Sequence, residues 1–186
     1  MLTGSVTFCE SDVNINHAAF TNNLCEDGLN IVHAKFTLDN SLIANTFSDG
    51  FDADFCEGTV NNITFRDTGN DGMDLSGSVI TIANLQVYNA GDKGLSVGEK
   101  AEVHLLSGTI IGANTGVASK DLSLLKIEDL NLENCIKGFT AYQKKPEYGK
   151  GNIIVKKYSA TDVKHLFLLD KGSVLDLMGE KHTGEI

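Results

Sequence analysis

The segment Asp71-Gly72-Met73-Asp74-Leu75-Ser76 decides the fold, because its pattern recurs along the chain every 22 residues. The glycine is the most regular member of the pattern, and it returns as Gly28, Gly50, Gly72, Gly94, Gly116 and Gly138. A constant period of about 20–50 residues is typical of a repeat protein, in which each unit buries its apolar face only by stacking on its neighbours. The period therefore predicts a stacked, elongated molecule.

Each unit contains three short apolar-polar alternations. The first follows the glycine, where Met73 and Leu75 flank Asp74, and this pattern predicts a strand with one buried face. A second apolar set follows in every unit at the spacing i, i+2, i+5 and i+7, as in Phe36, Leu38, Ser41 and Ile43. Two further strands, each pointing two side chains inward across a two-residue corner, explain this spacing.

Polar residues mark the turns between these strands. Asn40, Asn62 and Asn84 occupy the corner between the second and third strands, where Asn tolerates the left-handed region. Stacked Asn side chains can also form an amide ladder along the molecule. Asp27, Asp49 and Asp71 each precede a repeat glycine, which predicts ordinary turn chemistry: the Asp bonds the turn backbone and the Gly takes a positive φ.

Three strands per 22-residue unit predict an all-β fold, a right-handed parallel β-helix of about eight rungs that forms one domain over residues 1–186. The chain resembles the pectate-lyase-like β-helix repeat superfamily, in the Asn corner above all. The stretches 51–55, 91–99 and 142–147 also resemble β-helix domains of bacterial surface and secreted proteins. These resemblances imply an extracellular or cell-surface location and a substrate groove along the first-strand face. They do not fix an activity, since one fold hosts many functions.

Composition narrows the classes of partner. The net charge of −10 and the pI near 4.8 argue against nucleic acid and against anionic membrane surfaces. The sequence has no transmembrane run, so we expect no membrane insertion. A cation, a polysaccharide or a protein partner remains compatible with this charge. No amphipathic helix covers either end, so we expect either a segment of a longer protein or end-to-end association through uncapped solenoid ends.

Acidic residues concentrate on the outward side of the first strand in the second and third rungs. The central outward column reads Asn30, Asp52, Asp74, Ser96, Ala118 and Thr140. Two residues further on, a second column begins with Asp54 and Ser76. Asp52 and Asp74 are expected about one rung apart, where like charges repel. Either a bound cation, with Ca²⁺ held by Asp52, Asp54 and Asp74, or a shared proton would offset this repulsion.

Basic and hydroxyl groups lie next to this cluster. The resemblance implies a site at Asp52, Asp54 and Asp74, with Lys93 and Ser96 one rung along. Ser76 and Ser96 are predicted ligand-binding residues, as is Arg66, the only arginine, which we expect either to reach the acidic cluster or to pair locally. The one insertion, at residues 142–151, is expected to be a surface excursion three to four rungs from the cluster.

Two functional classes fit these residues. The first is a non-catalytic module that presents an acidic face to a cation, a polysaccharide or a protein. The alternative is a polysaccharide-active enzyme: a hydrolase with Asp52 and Asp74 as its carboxyl pair, or a lyase with Lys93 or Arg66 as base. The chain has no Trp and only four Tyr, and its loops are short, whereas sugar-cleaving sites need concavity and aromatic platforms. These features favour the module.

Overall fold

The computed structural model describes residues 3–185 and shows an all-β solenoid of about eight turns. Its strands are β1 (Gly4–Cys9), β2 (Val13–Asn16), β3 (Ala19–Thr21), β4 (Asp27–Val32), β5 (Lys35–Thr46), β6 (Asp49–Asp54), β7 (Glu57–Thr68), β8 (Met73–Ser76), β9 (Val79–Ile82), β10 (Leu85–Ala90), β11 (Lys93–Gly98), β12 (Glu102–Ile111), β13 (Thr115–Lys120), β14 (Leu124–Glu133), β15 (Lys137–Tyr142), β16 (Asn152–Val155), β17 (Tyr158–Thr161), β18 (His165–Leu169), β19 (Val174–Leu177) and β20 (Glu180–Thr183). The predicted fold class is confirmed.

Two parallel sheets run the length of the molecule. The first has the order β1-β4-β6-β8-β11-β13-β15-β18 and contains every predicted first strand. Its register stacks equivalent residues of successive turns, so that Phe51 pairs with Met73 and Asp52 pairs with Asp74. The remaining strands form the second, twelve-stranded sheet. The side chains that alternate inward from both sheets meet in one continuous core.

The predicted second and third strands belong to the same sheet. In β5, β7, β12 and β14 they run together as one long strand, whereas in other turns they are separate. The corner between them remains as a local bend, where Asn40 and Asn62 have φ of 48° and 53°. Asn40 donates to Asn16 at 3.2 Å, Asn62 to Asn40 at 3.1 Å and Asn84 to Asn62 at 3.4 Å. The predicted amide ladder is therefore confirmed.

A further polar column, which the sequence pattern did not reveal, lies at the turn before each first strand. Its members share a positive φ between 52° and 60° and are Asn22, Asn45, Asp67, Asn89, Asn134 and Asp162. Two neighbouring pairs within it are hydrogen-bonded: Asn89 donates to Asp67 at 2.9 Å and Asn45 donates to Asn22 at 3.3 Å. Gly112, with a φ of 75°, takes the position between Asn89 and Asn134. Asn and Asp suit this position because their short polar side chains tolerate the left-handed region.

The repeat glycines are explained by close approach of the backbone and not by a positive φ, so the prediction of their conformation was wrong. A Cβ placed on Gly50 would lie 2.6 Å from the carbonyl oxygen of Gly72, and one on Gly72 would lie 2.8 Å from that of Gly94. The other four repeat glycines meet the next turn in the same way, at 2.6–2.8 Å. Only a residue without a side chain lets successive turns stack here.

The two ends of the second sheet differ. After β19 the chain reverses into β20, which pairs with β19 in antiparallel fashion. The parallel stacking of this sheet therefore stops at a hairpin, which the sequence pattern did not reveal. Over residues 3–185 the chain has no helix, and hence none that is long and apolar enough to cross a membrane.

Gly72→Ala is expected to lower the free energy of unfolding by about 1–3 kcal/mol, the usual cost of overpacking against a backbone that cannot move. Urea unfolding followed by circular dichroism measures this loss. Gly108→Ala is the matched control, since its Cβ would meet only the methyl ends of Leu130 and Leu105, at 2.9 and 3.0 Å. We expect the control to lose less than about 1 kcal/mol. Equal losses in both variants would contradict the close-approach explanation.

Candidate functional site

The outward column of the first sheet is assembled as predicted. Asn30, Asp52, Asp74, Ser96, Ala118 and Thr140 lie in register on successive strands, and Leu168 of β18 extends the column. The column is recessed, because Asn30 is 1% exposed and Ser96 is completely buried. Side chains on a solvent-facing sheet surface are normally exposed, so this face is a covered groove and not an open surface.

Lys120 provides much of this cover. Its Nζ lies 3.1 Å from Asp74 Oδ2 and donates to Ser96 Oγ at 2.9 Å. The side chain reaches back over Gly98, where a Cβ would stand only 2.6 Å from Lys120 Cε. Burial opposes the charge on Lys120, but the carboxylate of Asp74 outweighs this effect and raises the lysine pKa. Lys120 and Asp74 therefore form a buried ion pair across two turns.

Asp52 lies in a different environment from Asp74, although the two are neighbours in register. Within residues 3–185 its carboxyl group makes no hydrogen bond and no salt bridge. Burial, reinforced by the charges of Asp54 and Asp74, raises the pKa of Asp52 to about 9. Asp52 is therefore protonated at neutral pH, whereas Asp74 has a lysine partner.

Asn30 lies next to Asp52 at the other side of the column. The amide oxygen and nitrogen of Asn30 are both buried and have no hydrogen-bond partner among the described residues. Thr7, its neighbour on β1, donates its hydroxyl to the Gly4 carbonyl at 3.4 Å instead. A buried polar group without a partner is rare in native proteins, so the Asn30 amide needs a physical explanation.

Two of the Asp residues before the repeat glycines, Asp49 and Asp71, bond the backbone of the next turn, whereas Asp27 accepts from the Thr3 hydroxyl at 2.5 Å. Asp49 Oδ1 accepts from the Asp71 amide at 2.8 Å and from Asn70 Nδ2 at 2.7 Å, and Asp71 Oδ1 accepts from the Lys93 amide at 3.0 Å. Burial raises the pKa of Asp71 to about 6, although Lys93 opposes this shift. Asp27 also reaches a pKa of about 6 through burial. These carboxyl groups have a structural role between turns.

Lys93 is held by two carboxylates. Its Nζ lies 3.3 Å from Asp71 Oδ1 and also contacts Asp92. Burial opposes the charge, but the two ion pairs outweigh it and raise the lysine pKa. A general base needs a free lone pair at neutral pH. Lys93 is therefore poorly suited to the role of base that the lyase hypothesis assigns to it.

The other predicted site residues are divided between the groove and the opposite sheet. Asp54 and Ser76 are in register beside the column, and burial together with the charge of Glu99 raises the pKa of Asp54. Arg66 lies on the second sheet, where its guanidinium stacks 4.7 Å above the Tyr88 ring. The structure thus brings Asp52, Asp54, Asp74, Ser76, Ser96 and Lys93 to one face and leaves Arg66 out.

The insertion at residues 142–151 folds back toward the acidic cluster. Lys145 forms an ion pair with Glu99, and the Lys144 and Lys145 amides both donate to Asp121 Oδ1 at 2.7 Å. Tyr148 lies under the Lys100 ammonium, 5.6 Å from the ring centre. The loop therefore covers one side of the groove over two turns, which its position in the sequence alone did not predict.

An open cleft of about 570 Å³ lies at the far end of the same face. Its walls include Lys93, Thr140, Tyr142, Lys144, Leu168 and Asp170. Thr140 and Leu168 are members of the outward column, so the cleft continues the groove that begins at Asn30. The cleft combines hydroxyl groups, charges of both signs and apolar carbon in one concave surface.

The Ca²⁺ hypothesis has to account for Asp74, whose oxygens are held by Lys120. No group of three or more His, Cys, Asp or Glu side chains within residues 3–185 is arranged to hold a metal ion. Calcium at Asp52, Asp54 and Asp74 stays a prediction. Of the two ways to offset the like charges, the geometry favours a proton on Asp52.

Lys120 is the residue of the candidate site that sequence reasoning missed. It lies in the second outward column, which continues from Asp54, Ser76 and Gly98. Extending the second outward column by one turn beyond Gly98 would have identified Lys120. Asn30 was placed correctly in the column, but nothing in the sequence showed that its amide would lack a partner.

Comparison of the chain with protein-family models, with curated proteins and with solved structures found no match. The resemblance to the pectate-lyase-like superfamily therefore extends to the parallel β-solenoid architecture and no further.

Asp52→Asn is expected to raise the melting temperature more at pH 8 than at pH 5. The native state keeps a proton on Asp52 up to a pH of about 9, whereas the unfolded chain releases it near pH 4, so stability falls as pH rises through this window. Asn is neutral throughout and removes this loss. We expect a gain of at least about 2 °C at pH 8, which corresponds to roughly 1 kcal/mol in a chain of this size.

Differential scanning calorimetry measures the gain, with Glu147→Gln in the exposed part of the insertion as control. The control is expected to show the same melting temperature as the wild-type protein at both pH values. A lower melting temperature of Asp52→Asn at pH 8 would mean that Asp52 is ionised and paired in the native state.

Proposed function

We propose that this β-solenoid is a binding module that holds a saccharide chain along the groove of its first sheet. The cleft lined by Thr140, Tyr142 and Leu168, which continues the recessed outward column, is the observation that carries this proposal. Ligand sites are concave surfaces in which apolar walls are combined with a few polar groups that fix orientation. The cleft has this composition.

The length of the groove supports a polymer as the ligand. Six steps of the register separate Asn30 from Leu168, and at about 4.8 Å per step the column is roughly 29 Å long. Polar groups recur along it, interrupted only at Ala118. Ser96 and Ala118 are completely buried, and the Lys120 ammonium lies against Ser96. A saccharide chain that follows the solenoid axis would therefore contact the cleft directly and pass over Lys120 to reach the acidic turns. An extracellular or cell-surface location is part of this proposal.

Binding to a panel of immobilised neutral and acidic polysaccharides tests the module. Lys144→Ala should weaken the binding of any glycan that binds in this panel by about tenfold, because a hydrogen bond from a charged group contributes roughly 1.5 kcal/mol or more. Lys157→Ala is the matched control, since Lys157 is also exposed but pairs with Asp129 on the second sheet. The absence of binding across the panel, or equal losses in both variants, would overturn the proposal.

A second candidate, a glycoside hydrolase, is favoured by the asymmetry between Asp52 and Asp74. A retaining hydrolase uses one protonated carboxyl group as acid and a second carboxyl group as nucleophile. Asp52 would give its proton to the leaving-group oxygen while Asp74 attacks the anomeric carbon and the glycosidic bond breaks. Water would then hydrolyse the glycosyl ester on Asp74 and return the proton to Asp52. Their spacing of about one rung, near 4.8 Å, is closest to the separation of about 5 Å in enzymes that retain configuration.

Release of reducing ends from the same polysaccharides tests the hydrolase. We expect wild-type protein to cleave its bound glycan and both Asp52→Asn and Asp74→Asn to lose at least about 99% of that activity, the usual order for a missing acid or nucleophile. Asp12→Asn, which changes a carboxylate near the second sheet, is the control. If the wild-type protein binds a glycan without cleaving it, the hydrolase is excluded and the binding-module proposal stands.

A further inference from the structure

Two hydrogen-bonding groups at the acidic end of the groove have no hydrogen-bond partner among the described residues. The Asn30 amide is buried and unpartnered at both its oxygen and its nitrogen. Leu29 and Ile31 on either side of it are completely buried in the core, so alternation along β4 directs Asn30 to the groove side. Its neighbour in register there is Asp52, which also makes no hydrogen bond within the described residues.

We infer that Asn30 and Asp52 form a subsite for the hydroxyl groups of a neutral sugar residue. This inference rests on the proposed saccharide-binding function and names the class of ligand at one end of the groove. A primary amide donates and accepts hydrogen bonds, and so does a neutral carboxyl group. A sugar hydroxyl also does both, and it can therefore satisfy two adjacent groups of this kind.

The surroundings disfavour charged ligands of either sign. Asp27, Asp49, Asp54 and Asp74 face Asp52, and their charges would repel an anion. A cation would have to displace the proton on Asp52 and compete with Lys120 for the oxygens of Asp74. A neutral polyhydroxy ligand meets neither obstacle.

The same surroundings make binding depend on pH. The proton on Asp52 is retained up to a pH of about 9, because burial and the neighbouring carboxylates oppose ionisation. The basic groups nearby are engaged elsewhere: Lys120 pairs with Asp74 and Lys145 with Glu99. His33 stacks on Phe55 at 5.2 Å between ring centres. Above pH 9 the carboxylate loses its donor, so affinity for the neutral sugar should fall.

Nuclear magnetic resonance of the side-chain amides tests the subsite directly. The Asn30 signal is identified by its loss in Asn30→Ala, and the full chain is titrated with galactose, glucose and mannose and, separately, with CaCl₂. We expect at least one neutral sugar to shift the Asn30 signal and CaCl₂ to leave it unchanged. A shift with CaCl₂, or no shift with any of the three sugars and with neutral oligosaccharides, would overturn the inference.

Variants separate this inference from the module itself. Asn30→Ala should weaken binding of a neutral glycan from the polysaccharide panel by about tenfold. Asp52→Asn should remove the dependence of binding on pH, because an amide does not ionise. Asn14→Ala, on the second sheet, is the matched control. Unchanged glycan binding by Asn30→Ala would refute the subsite and leave the module intact, and a panel without any binding would refute both.

Discussion

The structure depends on the close parallel approach of successive turns at the repeat glycines. Where Gly50 lies against Gly72, a Cβ would be 2.6 Å from a carbonyl oxygen, a distance that no side chain tolerates. The same contact recurs at every repeat glycine, and it sets the register of the whole first sheet. All the side chains that alternate outward from these strands are consequently stacked in straight columns.

Stacking brings equivalent residues together, and in the acidic turns this creates an electrostatic problem. Asp52 and Asp74 occupy the same position in neighbouring turns, where two carboxylates would repel each other. The surroundings of the two carboxyl groups differ. Lys120 pairs with Asp74, whereas Asp52 keeps its proton because burial and the surrounding carboxylates raise its pKa to about 9. Two chemically identical residues thus become an anion and a neutral donor.

The period predicted the architecture and the membership of the outward column, because both depend on spacing alone. The period places Lys120 in the second outward column, but it could not predict that the long side chain crosses two turns to Asp74, since contacts along the stack depend on rotamers and on the space left by Gly98. The path of the insertion was missed for a similar reason. Its position indicates which turn it leaves, but the pairing of Lys145 with Glu99 decides where it goes.

The repeat also explains why the site is confined to part of the groove. In a uniform solenoid the polar side chains of every turn would be hydrogen-bonded to the next turn in the same way, as Asn62 is to Asn40 in the amide ladder. The outward column breaks that uniformity at Asn30 and Asp52, whose polar groups have no hydrogen-bond partner within residues 3–185. An unsatisfied amide in a buried place costs stability. This protein keeps the Asn30 amide next to the neutral carboxyl group of Asp52, in line with the cleft. These groups suit the proposed binding of sugar hydroxyl groups at one end of the groove, and the cleft suits a longer saccharide at the other end.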